Sequence, residues 1–235
     1  KIVLGKKAVA RLYRRQIAAR LSRTAPNLAG EFGLPFDLFK GRAFKTGDYR
    51  IHEEALDGYY AALDEFLVGA AIWDYSADNT HRWGDRWNNE DFSIVTTGDG
   101  GPLRPRAAGG WMRPYPLATA GTPLSFRWDR KKRRLVYRYF ADPAVAAPTA
   151  IFIPAADESE PSPSALGRAW PEAEPLVTIQ TAGKNAAAPF RGIRTEYVPE
   201  RRELYVYHGD YGGELEITVL LPGGSHSRKR RGDGP

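Results

Sequence analysis

The chain has 235 residues, 42% apolar and 12% aromatic, enough to bury one large core or two modest ones, and this composition excludes a wholly disordered chain. It has no cysteine, which excludes a disulfide framework, a thiolate metal site and a cysteine nucleophile and leaves the compartment open. The net charge of +6 is confined to the ends: residues 1–24 contribute +8 and residues 225–235 contribute +3, which leaves −5 for 25–224, so no nucleic-acid partner is expected.

In chain order, Val9, Leu12, Tyr13, Ile17 and Leu21 recur every three or four residues and predict a helix from Lys6 to Thr24, stopped by Pro26. The run from Asn27 to Gly33 is too short for a helix and is bracketed by Pro26 and Pro35, which predicts a short buried strand. A second helix follows, capped by Thr46 or Asp48, with Ile51, Ala55, Tyr59, Leu63 and Phe66 on one face and Gly69 at its end. A second strand, AAIWDYS, occupies 70–76. Helix, strand, helix, strand is the rhythm of a parallel α/β unit, whose working groups gather at the strand ends. Glu31 and Trp73 would then be neighbours facing one cavity.

Residues 77–92, ADNTHRWGDRWNNEDF, are polar, aromatic and aperiodic, a loop of the kind used for binding. Gly109 and Gly110 then interrupt a further helical stretch, at about 1 kcal/mol each against alanine, so a frayed end is expected there. From Thr122 the pattern alternates. Strands are predicted at 122–129, 133–140, 149–154, 176–180, 193–198, 202–208 and 214–221, with DRKKR as a turn between the first two. Seven short strands without an intervening helical period predict an antiparallel β-sandwich, and residues 156–175 read as an exposed Pro- and Ser-rich loop. No stretch reaches the roughly 18 apolar residues of a membrane helix, and the chain reads as soluble.

Three motifs in order, GEFG at 30–33, IWDYSADNTHRWGDRWNNEDFSI from Ile72 and RPYPLATAGTPLSF from Arg113, make residues 8–154 resemble glycoside hydrolase family 5. The closer likeness is to its endoglycoceramidase and β-glucosylceramidase branch. The resemblance implies a fold class of α/β plus all-β: the C-terminal part of a (β/α)8 TIM barrel over 1–117, an antiparallel β-sandwich over 118–222 and a basic flexible tail over 223–235. It implies that Glu31 ends the seventh barrel strand as nucleophile and that Trp73 ends the eighth as the floor under the sugar. A retaining glycosidase needs a second carboxyl group about 5 Å from the first. The family takes it from an Asn-Glu pair after the fourth strand, upstream of this sequence; Asn89-Glu90 repeats the dipeptide in the wrong place.

The expected chemistry is therefore cleavage of the bond between glucose and a ceramide or similar aglycone. A cellulase-like specificity and a non-catalytic carbohydrate- or lipid-binding remnant are the alternatives. The expected partners are a glycolipid or oligosaccharide substrate and the missing barrel portion, on the same gene or a companion chain, with peripheral contact to a lipid surface. This chain by itself is expected to be inactive, and its uncovered helix faces to favour association with that portion.

Each residue also has a plainer reading. Glu31 can be a strand-end carboxylate held by backbone N–H groups or an arginine, and Trp73 can be core. Asp78, Asn79, Trp83, Trp87 and Glu90 are the expected substrate contacts, because sugars offer apolar C–H faces to indoles and hydroxyls to amides and carboxylates. A calcium loop competes for the same oxygens, but the EF-hand spacing is absent. His52, His81, His208 and His226 are too scattered for a zinc site or a Ser-His-Asp triad, so no metal and no cofactor is expected. The tyrosines of RLVYRYF and ELYVYH read as ordinary alternation.

Overall fold

The computed structural model describes residues 5–22, 24–154, 174–182 and 192–222. The expected tail (223–235) and most of the Pro- and Ser-rich loop (155–173) lie outside them. Two hydrophobic cores organise the rest.

The first core joins helix α1 (Lys6–Ala18), strand β1 (Leu28–Phe32), helix α2 (Leu38–Thr46), helix α3 (Arg50–Glu65) and strand β2 (Gly69–Ile72). β1 and β2 pair in parallel, with Leu28 opposite Gly69 and Phe32 opposite Ile72 around an irregularity at Gly30 and Glu31. Helix α1 ends at Ala18, earlier than the Thr24 expected. There Ser22 donates its N–H to the Asn27 side chain at 2.7 Å and its hydroxyl accepts from the N–H groups of Thr24 and Ala25. Such local bonds offer the backbone an alternative to the helix.

Helix α2 had no sequence signal. It opens with a left-handed stretch at Phe39, Lys40 and Gly41, which breaks any helical period that could have announced it. In α3 the buried positions are His52, Ala55, Leu56, Asp57, Gly58, Ala62 and Leu63, while Ile51 is exposed. The single apolar stripe expected is replaced by two packed faces, because α3 is enclosed by α1 and the strands on one side and by the second core on the other.

Strand β1 also departs from expectation. It was expected to be buried, yet Leu28 is 71% exposed and only Phe32 of its five residues is buried. Among the described residues β1 has one strand neighbour and one packed face, so nothing covers its other side.

After β2 come the short ladder β3 (Val95–Thr96) and β4 (Arg104–Pro105), then α4 (Ala108–Trp111), a single turn. The glycines of α4 do not fray an end: a Cβ on Gly110 would lie 2.8 Å from the Glu53 Cα, so its absence lets α4 lie directly on α3.

The second core lies between two four-stranded antiparallel sheets. One has the order β10 (Arg194–Val198), β11 (Glu203–Tyr207), β8 (Thr149–Phe152), β5 (Tyr115–Ala118). The other has β6 (Gly121–Asp129), β7 (Arg134–Ala141), β12 (Gly213–Leu220), β9 (Leu176–Ala182). The alternation in RLVYRYFA is the reason: Leu135, Tyr137, Tyr139 and Ala141 are inside, and Arg134, Val136, Arg138 and Phe140 face away. Strand β5 spans the boundary expected at 117/118 and pairs with β8, so it belongs to this sheet.

The two parts are tied at α3. Arg113 donates to Asp64 at 2.5 Å, and Arg130, from the β6–β7 turn, donates to Glu53 at 2.7 Å.

Candidate active site

The C-terminal ends of β1 and β2 meet closely. Trp73 donates its N–H to the Phe32 carbonyl at 2.8 Å, and a Cβ on Gly33 would lie 2.3 Å from the Trp73 carbonyl oxygen. Glycine is thus required at 33 by the neighbouring strand, whereas a Cβ on Gly30 would meet nothing within 4 Å. Phe32 anchors β1 on α3 through edge contacts to Tyr59 and Tyr60, with ring centroids 5.7 and 5.0 Å away. Glu31, next to it, is exposed on the uncovered side. Ile72 packs with Phe32 in the core, and the following Trp73 is 38% exposed. Glu31 and Trp73 therefore sit at the same ends of adjacent parallel strands. The Trp73–Asp74 peptide is cis. Burial pushes the Asp74 carboxyl above its ordinary range, opposed by the Ser76 hydroxyl donating to it at 2.7 Å.

The loop after Asp74 separates the expected substrate contacts into two groups. Trp83 and Trp87 are 58% and 60% exposed, with the Arg82 guanidinium 4.6 Å above the Trp83 ring. Asp78 is exposed and lies 3.3 Å from Arg86, and the Glu90 side chain is exposed as well. Asn79 is different. It is fully buried, its amide donates to Asp91 at 2.8 Å and its carbonyl accepts from the Thr97 hydroxyl and N–H, so it holds the loop together and offers no surface to a substrate in this arrangement. Asp85 has a similar scaffold role, accepting from the N–H groups of Trp87 and Phe92 at 2.9 and 3.1 Å.

Arg106, which holds this loop, was not singled out from sequence, and Asp91 was read only as one more polar group of the binding loop. Arg106 forms a two-pronged ion pair with Asp91 at 2.8 and 2.5 Å, and both are buried. Asp91 stood among the loop's polar groups expected to meet a sugar, but its partner is fifteen residues away, and Arg106 looked no different from a solvated charge. Among the described residues no group of three or more His, Asp or Glu side chains is arranged to hold a metal ion.

Residues 113–165 match the glycoside hydrolase family 5 C-terminal domain. A glucosylceramidase of Cryptococcus neoformans var. grubii is 30% identical over 233 residues, which cover 87% of this chain and 31% of that protein. An ergosteryl-beta-glucosidase of Saccharomyces cerevisiae is 35% identical over 105 residues, 42% of this chain and 14% of that protein. Among solved structures, sterylglucosidase 1 of Cryptococcus neoformans shares the fold at a TM-score of 0.71 and 24% identity, over 94% of this chain and 32% of the other. The chain thus spans about a third of the length of the Cryptococcus neoformans glucosylceramidase that it matches.

Proposed function

We propose that this chain, as the C-terminal part of a glycoside hydrolase family 5 protein, supplies the nucleophile and the sugar platform of a retaining β-glycosidase acting on glycolipids. The observation that carries this reading is the pair Glu31 and Trp73 at the C-terminal ends of adjacent parallel strands, on the side that α3 leaves open. Two parallel strands with helices on one face and nothing on the other are what the last segment of a βα barrel would offer. The remaining strands would come from the part of the protein beyond this chain, and the sandwich would begin near Arg113.

In the proposed reaction a Glu31 carboxylate oxygen attacks the anomeric carbon while the bond from that carbon to the aglycone oxygen breaks. A second carboxyl group, outside this chain, gives its proton to the departing oxygen. That group, now ionised, takes a proton from water as the water oxygen attacks the same carbon, and Glu31 leaves as a carboxylate. Trp73 contributes an apolar face under the glucose ring, and Trp83 and Trp87, exposed on the adjoining loop, meet the sugar or the aglycone. The relatives' names point to a ceramide or a sterol as that aglycone.

The test is Glu31→Gln in the complete protein, assayed for glucose release from glucosylceramide and from a steryl glucoside. Loss of both activities with unchanged thermal midpoint is expected. Turnover retained by the variant removes Glu31 from the chemistry. A wild-type protein that binds glycans through Trp73 but hydrolyses neither substrate replaces the enzyme with a binding protein.

A further inference from the structure

Behind the strand ends runs a chain of stacked groups drawn from five separate segments. The His52 ring of α3 lies on Phe36 with centroids 5.2 Å apart and planes within 11°. The Arg106 guanidinium carbon is 4.5 Å from the Phe36 ring and 5.5 Å from the Phe44 ring of α2. Phe44 in turn stacks on His81 of the loop at 4.3 Å and 4°. Arg106 is the one charged member, only 1% exposed. Its side-chain hydrogen bonds go to a single short segment: both Asp91 carboxylate oxygens, and the Ser93 carbonyl through Nε at 2.8 Å and through Nη2.

That segment in turn holds both strand ends. The Asp91 carbonyl accepts the Phe36 N–H at 2.6 Å, which fixes the stretch leaving Glu31. The Phe92 carbonyl accepts the Asp74 N–H at 3.3 Å, and the Asp74 carbonyl accepts from Ile94 at 2.9 Å, which fixes the stretch leaving Trp73. One guanidinium therefore braces the segment bonded to the exits of both strands, beside the direct pairing of β1 with β2.

We infer that Arg106 is a positioning residue for the glycosidase reaction, acting through Asp91 and Ser93 on the exits of both strands. The inference rests on the reading of Glu31 and Trp73 given above. Three properties of arginine are used together: a two-pronged fork for the carboxylate, a flat face for the phenyl rings and a charge that persists when buried. Lysine supplies only the charge. A buried ion pair is a costly way merely to fill space, since apolar residues of similar volume usually serve stability as well. What it adds is a fixed direction, and a misplacement of about 1 Å at a reacting carboxylate lowers rates by roughly a hundredfold.

The experiment uses the complete protein, carrying Arg106→Lys or Asp91→Asn, and an activated 2-deoxy-2-fluoro-β-glucoside. Glu31 displaces the leaving group and keeps the fluorosugar, so the intact mass counts competent sites. Turnover of an aryl β-glucoside is then divided by that count. The expected result is a fall in kcat per trapped site of roughly tenfold or more in either variant, a smaller change in KM, and faster hydrogen exchange in peptides covering residues 74–94. Fewer trapped sites with wild-type kcat per site would assign Arg106 to stability alone and overturn the inference. Should both variants fail to fold, Phe44→Leu removes one stacked ring; a fall of a few-fold in kcat per site is expected, and no change overturns the inference. A wild-type protein that forms no adduct and hydrolyses nothing overturns the reading of Glu31 itself and takes this inference with it, whereas normal wild-type behaviour with unaffected variants rejects only the role of Arg106.

Discussion

The parallel pair β1–β2 and the antiparallel sandwich are built from similar apolar stretches with opposite outcomes. In the sandwich Leu135, Tyr137, Tyr139, Ile151, Val206, Leu215 and Ile217 are wholly enclosed, because each inward side chain meets the facing sheet of the same chain. In the parallel pair Leu28 and Ala71 are exposed, because α1 and α3 cover one face and nothing described covers the other. Strand residues are stabilised only when a second layer exists. The sandwich carries its second layer with it; the parallel pair, which holds Glu31 and Trp73, has half of one.

The largest expected effect follows directly. Leu135→Ala or Ile217→Ala should cost about 2–5 kcal/mol in urea unfolding, as removal of enclosed methyl groups does. Leu28→Ala in the same chain should cost at most about 0.5 kcal/mol. Equal costs would mean that the open face is covered in solution and that the comparison fails.

A second test lies inside the parallel pair. Gly33→Ala drives a methyl group into the Trp73 carbonyl, a fixed backbone atom, and should cost about 2 kcal/mol or more, while Gly30→Ala meets open space and should be within about 0.5 kcal/mol of wild type. The two glycines bracket Glu31 and Phe32 in sequence, but only Gly33 is pressed by the neighbouring strand. If Gly30→Ala proves as costly in the complete protein, the missing half of the layer presses on that position.

The junction between the regions should be less sensitive. Arg130→Ala removes a partly exposed pair with Glu53 and should cost at most about 1 kcal/mol in urea unfolding. A much larger loss would make this contact, and not α3 packing, the tie between the two parts.

The same contrast explains what could be read from the sequence. Alternation in RRLVYRYF and ELEITVLL announces β7 and β12 because one face of each is enclosed and the other is wet, and that is a local property. The two short strands after α1 and α3 were legible from their length and their bracketing prolines and glycine, and they do pair in parallel. Their exposure was not legible, since burial depends on what packs against a strand and not on the strand's own residues. Helix α2 was hidden by the left-handed geometry of Phe39 and Lys40, which nothing in the residue types demands. In the candidate site, Glu31 and Trp73 stood out as polar or aromatic groups ending apolar runs. Arg106 did not, and Asp91 was legible only as a polar group of the binding loop, because a buried ion pair does not show as one until the fold brings its members together. Asn79 shows the converse, a polar loop residue drawn inside to hold Asp91.

The smallest expected effect in the unmodified chain is its dependence on pH between about 4 and 6, where two buried groups oppose each other. Burial, reinforced by the Arg106 charge, lowers His52 from its ordinary value to about 4. The unfolded chain then binds the extra proton, so acidification from about 6.5 towards 4 destabilises the fold. Burial raises Asp64 to about 6, with the Arg113 guanidinium pulling it back only in part. Here the folded chain binds the extra proton, so stability falls as pH rises from about 4 to 6. Each group alone is worth up to about 3 kcal/mol across its window, with opposite signs, so their joint contribution should be nearly flat. Asp64→Asn leaves the His52 slope, and the variant should lose stability relative to wild type as the pH is lowered from 6 to 4. His52→Phe leaves the Asp64 slope, and that variant should gain relative stability over the same change. His52 lies in the stack behind the strand ends and Asp64 at the junction with the sandwich, so divergent profiles would report the two regions separately. Parallel profiles for all three proteins in urea unfolding at pH 4.5 and 6.5 would show that neither group is held in the protonation state that its burial implies.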